Sequence, residues 1–335
     1  MSCIMNINRV LIPNDVINTL TNIYKYIGKN DSYEQVVNND LLRIEDQTVE
    51  RDCYFISKIL NLEITDSRLR LIITKNSEPR NIDETTLFYI KEILKSFQMN
   101  HKDLTTQSND LINIINYIRP NENIKFDYDQ AEKKSILKSQ GMRSKRILLD
   151  EINDEVSKHI TKESFETITL YLHYFIDFYN LVPFTAHNKL SSYLLLYLLL
   201  LKANVYSFKY VSFFELLYSD FTNFEIELKN ASFNWKEGFS QTLGFVRFMT
   251  KLMVRSYNKA NDLIKEYEFD SNLNKANNIE NTISKLPDIF TKEEIRLIHP
   301  YISESTINRT LSRLRDEKQI KPLGKGRSAK WIKIW

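Results

Sequence analysis

Residues 303–317, SESTINRTLSRLRDE, sort two kinds of side chain at helical spacing. Ile307, Leu311 and Leu314 fall on one face, as a buried stripe requires. Thr306, Asn308, Arg309, Ser312, Arg313 and Arg315 are left for solvent or for a ligand. Those types suit double-stranded DNA. Arginine can pair with guanine edges and asparagine with adenine, and the hydroxyls and remaining cations can take phosphates.

The elements around this stretch must hold it in place. Ile279–Leu286 reads as a helix stopped by Pro287, and Thr291–Ile298 as a second, with Thr291 and Glu294 spaced as a capping box. His299-Pro300-Tyr301-Ile302 is a turn, and the third helix starts from Ser303 or Ser305. IKPLGKGRSAKWIKIW, 320–335, reads as a β-hairpin with GKGR at its tip. It adds Lys325, Arg327 and Lys330, suited to backbone phosphates. Residues 289–335 carry 11 Lys/Arg against 5 Asp/Glu, net +6, while the whole chain is only +3, so the remainder is −3. A basic tail on a mildly acidic body points to a polyanion partner. The alternative is a module that makes only protein contacts. Helix, helix, turn, helix, hairpin is an order that resembles a winged helix-turn-helix. The resemblance implies that 303–317 is the recognition helix.

The rest of the composition sets limits. Of 335 residues, 42% are hydrophobic and 27% charged, which is globular rather than disordered. Only 6 glycines and 7 prolines interrupt a Leu-, Ile- and Lys-rich chain, which favours helices. Cys3 and Cys53 form no metal-ligand spacing and no disulfide framework, so a reducing cytoplasm is expected. MSCIMNINRVLIPND lacks the basic segment and long apolar core of a secretory signal. The longest apolar run, Tyr193–Leu201, is too short for a membrane span and reads as a buried core helix.

Along the chain, 1–118 reads as an N-terminal helical region. Pro13-Asn14-Asp15 opens one helix, Ser32–Lys58 has helical spacing, and Thr85–Met99 is amphipathic with Asp83 as its expected N-cap after a turn at 77–81. A polar break at 119–130 could hold a short extended piece at Ile124–Tyr128. Lys133, Lys134, Lys138, Arg143, Lys145 and Arg146 then form either a solvated helix face or an anion-facing patch. Residues 119–265 form a helical core in which Glu166–Tyr179, Ser192–Ala203, Val211–Tyr218 and Gly244–Tyr257 read as helices. An Asn-rich linker is expected at 266–277, and the basic module occupies 278–335.

Between the first two core helices lies Leu181–Leu190, LVPFTAHNKL. It resembles the signature loop of Fic proteins, His-Pro-Phe-x-(Asp/Glu)-Gly-Asn-Gly-Arg, with Pro183, Phe184 and Asn188 in register. ASFNWKEGFSQTLGFVRFM, further on, resembles that family's later core. The resemblance covers about 119–265. It implies a mainly α fold: a Fic-like helical core with N-terminal helices and a C-terminal winged-helix (α+β) domain. Active members transfer AMP from ATP to a target hydroxyl. Their histidine is the base, their acidic residue holds Mg²⁺, and their glycines and arginine cradle phosphate. Here Val182 stands for the base, Ala186 for the acid, His187 and Lys189 for the glycines, and Leu190 for the arginine. The loop therefore looks degenerate. Asn188 and Lys189 remain as candidate phosphate contacts, matching the Asn-Lys of the phosphorylating Doc branch, and His187 as a displaced base or an ordinary loop histidine. The family's self-inhibitory glutamate has a weak counterpart in Glu45, which reads better as a surface residue of an ordinary helix.

Three readings follow. The first is a catalytically degenerate Fic-like body serving a DNA-binding regulator. The second is an AMP transferase or Doc-like kinase working through displaced residues. The third is a protein-interaction component of a defence or toxin-control system. The first expects double-stranded DNA as partner, a homodimer through the Fic-like core as an option, and no cofactor or metal. Only the second would call on Mg-ATP.

Overall fold

The computed structural model describes residues 3, 4, 7, 11–37, 40–128, 144–272, 275–300, 302–324 and 329–334. Among them, the chain runs through helices α1 (Asn14–Ile27), α2 (Asn30–Val37), α3 (Leu41–Ile59), α4 (Asp66–Lys75), α5 (Ile82–Asn100) and α6 (Ser108–Ile118). Then come α7 (Lys145–Thr161), α8 (Thr167–Leu181), α9 (Asn188–Lys202), α10 (Phe213–Tyr218), α11 (Phe221–Ser232) and α12 (Leu243–Asn272). The last stretch is α13 (Lys275–Lys285), β1 (Ile289–Thr291), α14 (Lys292–Ile298), α15 (Glu304–Asp316), β2 (Ile320–Pro322) and β3 (Lys330–Lys333). The protein is mainly α, with one small sheet near the C-terminus.

Contacts divide the chain into two units, each discontinuous. The first is Met1–Asn30 with Glu45–Asn258, and the second is Asp31–Ile44 with Lys259–Trp335. These boundaries differ from the expected linear ones. Most of 1–118 shares a unit with the core because buried polar groups bind the two stretches together. Gln98 Nε2 donates to the Phe208 carbonyl at 2.9 Å. The Asp52 carboxylate accepts from Ser212 Oγ at 2.6 Å and from the Phe214 N–H at 2.9 Å. Asp177, in α8, accepts from the Cys3 and Ile4 N–H groups at 2.5 and 2.8 Å and from Trp235 Nε1 at 2.7 Å. Of residues 266–277, expected as a linker, 266–272 end α12 and 275–277 begin α13. Neither described part contains a Gly or Pro that would stop a helix.

The centre of the first unit is the pair α8 and α9. TITLYLHYFIDFYNL and NKLSSYLLLYLLLLK are apolar on nearly every side, as a helix must be when neighbours cover it all round. α8 packs on α7, α9 and α11, and α9 packs on α5, α6 and α8. Leu196 and Leu198 are fully buried, and truncating either to Ala should cost ~2–5 kcal/mol. Caps set the ends. Glu166 accepts the Ile168 and Thr169 N–H groups at 2.8 and 2.6 Å and starts α8. α5 is capped by Asn81, which accepts the Glu84 N–H. The expected cap, Asp83, instead accepts the Glu63 N–H at 2.8 Å. It lies inside the first turn, where a side chain cannot reach its own helix's free N–H groups as an N-cap does.

In the second unit, Thr291 and Glu294 form the reciprocal capping box that starts α14. β1, β3 and β2 form an antiparallel sheet in that order, with Phe290 opposite Trp331 and Ile320 opposite Lys333. β1 is an element that the sequence reading did not separate from the break after Pro287. Ile283, Phe290, Ile295, Ile307, Leu311 and Leu314 are buried. The segment 31–44 is anchored by hydrogen bonds from Tyr33 to Asn261 and from Tyr267 to Asp40. Among the described residues, no helix is long and apolar enough to cross a membrane.

Candidate functional site

The α8–α9 junction is held by main-chain pairing. Phe126 and Phe184 form an antiparallel bridge. The Asp127 N–H donates to the Pro183 carbonyl, and the Thr185 N–H to the Lys125 carbonyl, each at 2.9 Å. So 124–128 is extended, as its sequence allowed, and lies along the loop. Phe184 is buried, 5.4 Å from the Phe126 ring and 5.9 Å from the Phe178 ring.

Val182 sits at φ 48°, in the left-handed region, and is 42% exposed. A β-branched residue is strained there. Its carbonyl accepts from Lys145 Nζ at 3.0 Å, and that ammonium also contacts Asp127 Oδ2 at 2.9 Å. The Lys145 ammonium holds the Asp127 carboxyl below its ordinary range. Of the basic run at 133–146, Lys145 is thus a strut of the loop, and Arg146 lies over the Phe126 ring at 5.7 Å. Lys133, Lys134, Lys138 and Arg143 fall outside the described residues.

Each remaining loop residue has a definite place. Asn188, expected as a candidate phosphate contact, is hydrogen-bonded within its own loop. It accepts the Phe184 N–H at 2.9 Å and donates to the Phe184 carbonyl at 2.7 Å. Lys189 is exposed over the Tyr193 and Phe221 rings at 5.8 and 5.6 Å, with Glu225 at 4.0 Å. Its recorded contacts are with α9 and α11, not with His187 or Asn188. Ala186 is partly exposed, while Pro183 and Leu190 are buried. His187 Nε2 lies 2.5 Å from Glu122 Oε2, and Glu122 Oε1 accepts from Arg119 Nε at 2.7 Å. Desolvation pushes the Glu122 carboxyl up, but its bonds to His187 and Arg119 outweigh this and the net shift is downward. Sequence reading does not single out Glu122 or Asp127, and it places Lys145 only in a basic run. The polar break at 119–130 was the available signal, and what it lacked was the pairing across the fold.

Glu45 lies elsewhere. It is buried rather than on the surface, and its Oε1 accepts from Lys209 Nζ at 2.9 Å. Placing that carboxylate inside is tolerable because a cation meets it.

The second candidate site is the exposed face of α15. Ser303, not Ser305, caps it by accepting the Thr306 N–H. Asn308, Arg309, Arg313 and Arg315 are exposed, and Thr306 and Ser312 half-buried. The arginines are not equivalent. Arg313 pairs with Glu280, and Arg315 with Asp316 at 2.8 Å. Asn308 accepts from Lys292 at 3.2 Å. Arg309 has no ion pair among the described residues. Lys330 is exposed on β3, while Lys325 and Arg327 lie outside the described residues.

No protein-family model matches the sequence, and no curated relative does either. Solved structures do. A Fic family protein from Desulfovibrio desulfuricans superimposes with a TM-score of 0.53 at 11% identity, covering 97% of both chains. The chain has a Fic fold. A Fic domain-containing signaling protein from Bacteroides thetaiotaomicron gives a TM-score of 0.55 at 16% identity, over 74% of this chain and 97% of that one. At such identities the likeness concerns the Fic fold itself, and the site residues must be argued from their own geometry.

Proposed function

We propose that this Fic-fold protein is a DNA-binding regulator whose α8–α9 loop has lost nucleotidyl transfer. The carrying observation is the exposed face of α15, where Asn308 and Arg309, the latter without an ion pair among the described residues, stand on a helix capped by Ser303, with Lys330 on the neighbouring sheet. Arg313 and Arg315 can join at little cost, because exposed ion pairs contribute only ~0–1 kcal/mol and phosphates compete for them. Loss of transfer is supported at the loop. Val182 has no proton acceptor, Ala186 offers no oxygen to a metal, and Leu190 places a buried methyl group where the Fic motif has a guanidinium. The carboxylate nearest the loop's histidine, Glu122, is already engaged by Arg119 and His187. These side chains do not fit Mg-ATP.

The test is duplex binding by the full chain across a range of salt, alongside Arg309→Ala. Affinity should fall linearly in log–log form with salt, and the variant should bind less tightly. Salt-independent binding, or none to any genomic duplex, would sink the reading and leave a protein partner for the basic module.

A second reading, transfer chemistry through displaced residues, is favoured by the His187–Glu122 pair. A carboxylate that orients an imidazole is the usual setting of a general base. Label transfer from ATP in lysate that disappears in His187→Ala would establish it against the first reading.

A further inference from the structure

The first unit holds a cavity of about 580 Å³ walled by α8, α11, the 233–242 segment and the start of α12. That size suits a small organic molecule. Its polar lining includes Glu227 and Asn230 on α11 and Ser240, Gln241 and Thr242 at the entry to α12. The proton positions follow from the hydrogen bonds. His173 Nδ1 meets the Thr169 carbonyl at 2.7 Å and so must donate. Nε2 is then an acceptor, taking the Thr242 hydroxyl proton across 2.9 Å. Burial holds this imidazole's pKa down, which agrees with a neutral ring. With its proton turned inward, Thr242 offers the cavity only lone pairs.

Glu227 adds the charge. Its carboxylate lies over Gly244, where a methyl group would fall 2.0 Å from Oε2. Glycine is what lets the carboxylate rest there. Glu227 has no cationic partner among the described residues, and no Lys or Arg lines the cavity. Phe239 and Leu11, 67% and 88% exposed, also line it as large apolar surfaces.

We infer that this cavity binds a small organic cation, an amine or guanidine on an apolar carbon chain. The cationic head sits on Glu227 with its N–H groups toward Thr242, and the carbons lie against Phe239 and Leu11. A carboxylate with no Lys or Arg in the cavity lining, beside the Thr242 lone pairs, attracts a cation and repels phosphate, and an aromatic face adds to the attraction. This binding does not depend on what α15 contacts.

Isothermal titration of the full chain with agmatine at physiological ionic strength tests it, with AMP as the anionic counterpart. The expected result is one agmatine per chain and no heat from AMP. Glu227→Gln should weaken agmatine about tenfold, the loss of one charged hydrogen-bond partner. Phe239→Ala should weaken it several-fold, and Glu293→Gln, a surface carboxylate on α14, should leave it unchanged. Phe239 is exposed, so its variant retains the fold even where Glu227→Gln does not. Absence of agmatine binding, tighter binding of AMP, or affinity untouched in both cavity variants would overturn the inference.

Discussion

Asn188 closes the α8–α9 loop on Phe184 through both ends of its amide, accepting from one main-chain group at 2.9 Å and donating to the other at 2.7 Å. The amide is a structural clasp that uses its oxygen and one of its two N–H groups on the main chain of Phe184. Asn188→Ala should therefore lower stability by about 1–3 kcal/mol, the cost of leaving half-buried main-chain groups unmet. The urea midpoint of the full chain measures it, and an unchanged midpoint would refute the clasp.

Val182 predicts the opposite sign. Its left-handed backbone disfavours a β-branched side chain, and the side chain is substantially exposed, so little packing is lost on replacement. Val182→Asn should raise stability by roughly 1 kcal/mol, because asparagine tolerates this conformation. A fall in the thermal midpoint would show that the valine side chain contributes more than its backbone strain costs.

Asp52 makes stability depend on pH. Burial is the main cause that pushes its carboxyl up from 3.8 to about 7, and the hydrogen bonds from Ser212 and Phe214 only partly oppose it. A raised native pKa means the fold prefers the protonated acid. The contribution is complete below the ordinary carboxyl range and is lost as pH climbs through 7. Between about pH 4 and about pH 8 this amounts to as much as ~4 kcal/mol. Burial shifts the Asp177 carboxyl the same way. Asp52→Asn should reduce the downward slope of stability against pH, measured by denaturant unfolding at several pH values. An unaltered slope would mean that Asp52 is ionised in the fold.

The arginines of α15 should separate in DNA binding. Arg309→Ala removes a cation with no ion pair among the described residues, and should lower the salt slope by about one unit where it meets a phosphate. Arg313→Ala removes one already shared with Glu280 and should cost less affinity. Equal losses in fluorescence-anisotropy titrations would contradict the ranking.

Much of this was legible in the primary structure because periodicity is local. α8, α9 and α15 announce themselves by apolar spacing, and Thr291 with Glu294 gives the cap of α14 by type and spacing alone. The clasp made by Asn188 is not legible in the sequence, because its amide chemistry fits a phosphate and a main-chain clasp equally well, and only the path of the loop shows the clasp. Glu45 was expected at the surface because its partner, Lys209, is distant in the chain. Lys145 and Asp127 were invisible as a pair for the same reason. Strand β1 is three residues long, too short for a pattern of period two to register.

Both units are discontinuous, and that has a consequence for synthesis and for dissection. A fragment starting at residue 278 omits both 31–44 and the α12 residues that anchor it, Asn261 and Tyr267. It is therefore an incomplete domain, and its failure to bind a ligand would say nothing about the whole chain. On the ribosome, Tyr33, Val37 and Ile44 emerge long before the residues that complete their unit. The second unit can finish folding only once the final strand has left the exit tunnel.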